Sequence, residues 1–218
     1  MQLWVVWHRR LIGETEGPTL ITDTACTATD CRFPSWHTDN YYDAGGTDRR
    51  GGSTGARVRF LIDVVSAVRL TIGNVAPVGI RISQSKVNDF ASKWLGGEAD
   101  AEVIFGTLDD AGVNFIHVTE HEAWLPAFEG TQDSLVALAR RYAPNVAVIA
   151  NGSLHTTQRI AQALDSGADI VAVGRGALAN PDLPVILANG REPRNFDDSI
   201  LQPFASIKDH ELATLLAD

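Results

Sequence analysis

The stretch VGRGALANPDLP, Val173–Pro184, sets one arginine between two glycines directly after an apolar run and then ends on a proline. Glycine leaves backbone N–H groups open to close approach, and a guanidinium offers paired donors to a phosphate. Gly174, Arg175 and Gly176 therefore read as half of an anion site, with a tight strand-to-helix turn and a solvated arginine as the plain alternative. A second cation, Arg81, stands between Ile80 and Ile82 in VGIRIS, Val78–Ser83, where a charge is costly to bury unless something pairs with it. HVTEHEAW, His117–Trp124, spaces His117 and His121 as a helical zinc motif would. A strand passing into a loop does not put them on one helical face, so no metal is expected there. Cys26 and Cys31 lack the further Cys or His pair of a zinc site and read as free thiols in a reducing compartment.

Regular elements must hold these residues in place. Gly167-Ala168-Asp169 followed by Ile170–Val173 reads as a turn and then a short strand buried on both faces in a parallel sheet. Upstream, Val58, Leu61, Ile62, Val65, Val68 and Ile72 fall at helical spacing within Ala56–Ile72, and Gly73 ends that helix. Val78–Ile82 is a strand, Glu98–Ala111 a helix closed by Gly112, and Asn114–Thr119 a strand. Thr131–Tyr142 is a helix halted before Pro144, Val146–Ala150 a strand, and Thr156–Ser166 a helix. This alternation implies parallel βαβ units with right-handed crossovers, compatible with a doubly wound open sheet or a (β/α)8 barrel. Gln2–Trp7 is a candidate strand, whereas Ile12–Gly52 shows no sustained period and is very long for a loop.

Composition bounds the function. The chain has 218 residues, 44% hydrophobic and 21% charged, which is ordinary for a soluble globular protein. A (β/α)8 barrel needs about 250 residues, so the chain is short for one. A net charge of −9 argues against a broad nucleic-acid surface, which requires a basic face. The opening MQLWVVWHRR is too short and in the wrong order for a signal peptide or a membrane span. A cytoplasmic protein without nucleic-acid or membrane partners is expected.

Four motifs together resemble one family. TDRRGGSTGARVRF, Thr47–Phe60, resembles the segment opening the helix after the fourth barrel strand of the Old Yellow Enzyme family of FMN-dependent oxidoreductases. VGIRIS resembles that family's fifth strand, IANGSL, Ile149–Leu154, its seventh strand and phosphate loop, and VGRGALANPDLP its eighth strand and the arginine after it. The resemblance covers roughly residues 47–184 and selects the barrel: a partial (β/α)8 TIM barrel with strands 5 to 8 and a third-strand-like amino-terminal segment. A single truncated domain over 1–218 is expected, irregular over 1–46 and a half-barrel over 47–218.

The resemblance implies cofactors and contacts. FMN is the cofactor and NAD(P)H the co-substrate. Arg81 matches the arginine beside the N1 edge of the isoalloxazine, where a fixed cation favours the reduced, anionic flavin. Asn151 and Gly152 match the seventh loop, and Gly174 and Arg175 the eighth; in such barrels the last two βα loops form the phosphate site. Gln2, in Gln2-Leu3-Trp4, matches the glutamine that bonds the flavin pyrimidine. His117, Thr119, Glu120, His121 and Trp124 fall at the sixth strand's carboxyl end, without an assigned role.

The sequence also departs from the family. The His-x-x-Asn or His-x-x-His pair that binds the substrate carbonyl is not visible, and the catalytic residues stay unassigned. His37 and Asn40 in HTDN have the spacing but lack the surrounding strand, and Tyr41 and Tyr42 read as loop aromatics. Three functions follow: an FMN-dependent reductase of alkenes activated by a carbonyl or nitro group, a non-catalytic half-barrel that binds at most a phosphate, or another phosphate-binding barrel enzyme. The exposed edges of a half-barrel favour a homo-oligomer or a partner half-barrel.

Overall fold

The computed structural model describes residues 3–6, 19–23, 52–85 and 89–202. The chain forms two compact units, Met1–Val173 and Gly174–Asp218.

Among the described residues of the first unit, six strands form one sheet in sequence order: β1 Leu3–Val6, β2 Thr19–Asp23, β3 Val78–Ile82, β4 Phe115–Thr119, β5 Ala147–Asn151 and β6 Ile170–Ala172. From β2 to β6 every pairing is parallel. Consecutive strands are neighbours and the order never doubles back, whereas a doubly wound sheet reverses at a switch point. With right-handed crossovers, this winding keeps the helices on one side, as in a (β/α)8 barrel.

Among the described residues, four helices cover that side. α1, Thr54–Ile72, is capped by Ser53, whose hydroxyl accepts the Ala56 N–H at 3.3 Å, and it ends at Gly73 with φ 60°. It buries Val58, Leu61 and Val65, with Ile62, Val68 and Ile72 packed partly against the core. α2, Glu98–Asp110, buries Ile104, Phe105 and Leu108. α3 spans Leu135–Tyr142, and α4, Thr157–Asp165, is capped by Thr156. Because side chains alternate along a strand, Ile80, Ile82, Ile116, Val118, Val148 and Ala150 face the helices in the main core. Phe115 and Ile149 form a second cluster on the opposite face, with Ala147, Ile170 and Ala172 packed on it. The Phe115 ring lies over Gly79 so closely that a Cβ there would stand 2.2 Å from it.

Four sequence expectations need correction. The stretch read as lacking any period contains β2, whose five residues are too few to show one and whose strand state comes from pairing with β3. The prefix expected as a third barrel strand is a strand, but β1 runs antiparallel to β2, unlike any strand of a parallel barrel. The helix expected from Thr131 starts only after Ser134, which caps α3, because the Ala127 N–H bonds the Asp133 carbonyl at 2.8 Å and holds the preceding residues in a loop. β6, expected to be buried on both faces, is half-buried at each of its residues, since no strand among the described residues pairs with its outer edge.

The second unit contains α5 Arg175–Ala179, α6 Leu183–Ala188 and a 3₁₀ turn at Asp198–Leu201. Asn180 ends α5, as the Asn-Pro pair suggests, and its fully buried amide acts as a pin. Its Nδ2 donates to the carbonyls of Gly176 and Arg194, each at 2.9 Å, while its Oδ1 accepts the Arg194 N–H at 2.9 Å.

Candidate functional site

The parallel register decides which side chains meet on the face away from the helices. Arg81 pairs with His117 and His117 with Ile149; one step further, Thr119 pairs with Asn151 and Asn151 with Ala172. Arg81, His117, Thr119 and Asn151 therefore gather toward the carboxyl ends of β3, β4 and β5, the end where barrel enzymes carry out chemistry. Arg81 Nε donates to Thr119 Oγ1 at 2.9 Å, so the costly cation between two isoleucines has a hydroxyl partner. Burial, with the Arg81 charge adding, lowers the His117 imidazole from 6.5 to about 4. It is neutral at physiological pH, and its buried Nε2 has no partner among the described residues.

The turn after β5 is built for close approach. Gly152 has φ 139°, and a Cβ there would lie 2.1 Å from the Glu120 carbonyl oxygen, so only glycine fits. Ser153 follows in the left-handed region with φ 53°. Its hydroxyl donates to the His121 carbonyl at 2.9 Å, and its own carbonyl accepts from Arg159 Nη1 at 3.3 Å. Arg159 also lies 3.8 Å above the Trp124 ring. The Asn151 amide donates to the Ala172 carbonyl at 2.9 Å. Among the described residues, no protein acceptor takes the N–H groups of Gly152, Ser153 or Leu154. Successive open N–H groups in such a turn make a concave anion receptor.

Gly174 and Arg175 open the second unit, Gly174 as the residue before α5 and Arg175 as its first. A Cβ on Gly174 would meet no atom of the described residues within 4 Å beyond its chain neighbours, so their packing does not demand glycine there. Arg175 is exposed, and its side chain makes no hydrogen bond or ion pair with the described residues.

His117 and His121, spaced like a zinc motif, have separate surroundings: His117 sits beside Arg81, while His121 stacks on Phe90 with ring centroids 4.4 Å apart. Gln2, Cys26, Cys31, His37, Asn40, Tyr41, Tyr42 and the Thr47–Gly51 part of the first motif lie outside the described residues. Sequence reasoning left Glu120 without a role and missed Gln84, Ser85 and Lys93, which converge on it. The polar run SQSK directly after an apolar strand was the available signal.

Among the described residues, no helix is long and apolar enough to cross a membrane. The NADH:flavin oxidoreductase / NADH oxidase family matches residues 39–194. A putative 12-oxophytodienoate reductase 10 of Oryza sativa subsp. japonica is 32% identical over 146 residues, covering 63% of this chain and 44% of that protein. A metal reductase of Desulforamulus reducens is 31% identical over 145 residues, covering 63% of this chain and 21% of that one. The solved structure of morphinone reductase matches with a TM-score of 0.57 at 29% identity, over 77% of this chain and 45% of that one. An Old Yellow Enzyme homologue from Zymomonas mobilis has a TM-score of 0.60 at 22% identity, a likeness of fold. The chain spans less than half the length of these curated relatives. The winding of the sheet and the match over residues 39–194 agree: the chain belongs to the NADH:flavin oxidoreductase / NADH oxidase family, that of the Old Yellow Enzymes, whose cofactors are FMN and NAD(P)H.

Proposed function

We propose that the chain carries the carboxyl-terminal half of an FMN-dependent reductase, strands 5 to 8 of its barrel, acting on alkenes activated by a carbonyl or nitro group. The observation that carries this reading is the turn after β5, where the open N–H groups of Gly152, Ser153 and Leu154 follow a strand end that carries Asn151. The donor chemistry fits a phosphate: three consecutive amides, and a glycine with no room for a side chain.

Asn151 and Gly152 are accordingly assigned to the FMN phosphate. On the resemblance, Gly174 and Arg175 are also assigned to phosphate binding, and within the second unit the Arg175 guanidinium is exposed without a partner among the described residues and Gly174 has open space around it. FMN, when bound, supplies a hydride carrier between NAD(P)H and the alkene. Arg81 is assigned to the flavin's N1 edge, where its fixed charge offsets the negative charge that builds up on reduction. The neutral His117 adds no second charge beside it. Gln2 is assigned to the flavin pyrimidine on the resemblance alone.

Titration of the protein with FMN, followed by quenching of flavin fluorescence, tests the reading. Saturable binding is expected, weakened about tenfold by Arg175→Ala, the scale of one charge-assisted hydrogen bond. NAD(P)H oxidation should then depend on an activated alkene. Protein that never binds FMN would favour the non-catalytic half-barrel.

A further inference from the structure

Thr119 and Glu120, neighbours at the carboxyl end of β4, hold the Arg81 segment in two places. Thr119 accepts from the Arg81 side chain at 2.9 Å. Glu120, whose side chain is only 6% exposed, holds the backbone that follows. Its Oε1 accepts the Gln84 N–H at 3.0 Å. Its Oε2 accepts the Ser85 hydroxyl at 3.0 Å and faces Lys93 Nζ at 3.3 Å. Gln84 is itself buried; its Nε2 donates to the Ala127 carbonyl at 3.1 Å, and its Oε1 accepts the Trp94 N–H at 3.5 Å. A buried carboxylate is tolerated only when its oxygens are paired, so these donors and Glu120 fix one another.

The backbone of Glu120 faces the other way. Its N–H donates to the Asn151 carbonyl at 3.0 Å, and its carbonyl oxygen occupies the space that any side chain at Gly152 would need. Main chain and side chain thus serve different ends of one site: the main chain lines the turn after β5, and the carboxylate clamps the segment after β3.

We propose that Glu120 is a positioning residue, whose carboxylate sets the placement of Arg81 at the isoalloxazine end of the site and leaves the phosphate end untouched. The proposal rests on the flavin reading above. It separates two affinities that a merely structural residue would change together. Glu120→Gln is the informative variant, because it keeps the size and one acceptor of the side chain and removes the charge that Lys93 and the Ser85 hydroxyl meet.

The experiment compares wild type and Glu120→Gln in the full chain. FMN and riboflavin affinities are read by fluorescence quenching, inorganic phosphate by the rise in melting temperature it causes, and amide hydrogen exchange on the free protein. The expected result is a loss of about tenfold for FMN and for riboflavin alike, with the effect of phosphate unchanged. Exchange should speed up at Gln84 and Trp94, whose N–H groups Glu120 and the Gln84 side chain accept, and stay constant at Ala123, whose N–H bonds the Gly152 carbonyl. Thr119→Val should give the same ligand pattern without the change in exchange. Equal weakening of phosphate and flavin would overturn the proposal, as would unchanged riboflavin affinity in the variant. Wild-type protein that binds neither flavin would defeat the flavin reading and this proposal with it, a result told apart because the failure would precede any substitution.

Discussion

Gly152 is a residue whose identity is dictated by one atom. Its φ of 139° and the Glu120 carbonyl oxygen, 2.1 Å from where a Cβ would stand, leave an alanine no backbone-neutral way to fit. Gly152→Ala should cost roughly 3 kcal/mol of stability, read as a lower denaturant midpoint, because backbone rather than a flexible side chain must give way. His117 makes a pH prediction. Its folded-state value of about 4 lies below the ordinary 6.5, so as pH falls the unfolded chain takes up the proton first. Stability is therefore full above 6.5 and is lost as pH falls toward 4, by about 3 kcal/mol for that shift. His117→Gln should remove that component, and the difference between the two stability curves over this window isolates it from the carboxylates. Equal slopes would mean that the imidazole is not held neutral beside Arg81.

At the scale of elements, the amino ends of the strands repeat one device. Before β4, Asn114 Oδ1 accepts the Val78 N–H at 2.8 Å and an Arg69 Nη2 donor at 2.7 Å, and Arg69 also bonds the carbonyls of Gly73 and Ala76 at the end of α1. Before β6, Asp169 Oδ2 accepts the Val148 N–H at 2.8 Å and pairs with Arg140, which bonds the carbonyls of Pro144 and Val146 after α3 and of Gly167 after α4. An arginine at a helix end thus ties loose carbonyls to an acceptor that also takes the first N–H of a strand or one close to it. Asn114→Ala and Asp169→Ala should each cost about 1–2 kcal/mol, mostly from the strand N–H left unpaired. The Arg140–Asp169 ion pair adds little, since the Asp169 side chain is 50% exposed. Asp169→Asn, which keeps the acceptor, should therefore recover most of the loss in chemical denaturation.

At the scale of the molecule, β4 and β5 have a parallel neighbour on each side and lie against the main core, while β6 ends the sheet among the described residues. The Val118 amide, inside the β4–β5 ladder, should exchange only through global unfolding, and those of β6 through local opening at lower free energy. Uniform protection across β4 to β6 would contradict that ranking. The sequence by itself determined the helices α1, α2 and α4 and the strands β3 to β5, because caps such as Ser53 and Thr156, terminators such as Gly73 and side-chain periodicity act within a few residues. It also determined the family, since its motifs are contiguous runs. Only the tertiary structure decided the strand state of β2, the half-burial of β6, the neutrality of His117 and the donors that surround Glu120. Each depends on a partner distant along the chain: Gln84 and Glu120 are 36 positions apart, and no local pattern records that the fold brings them to 3.0 Å.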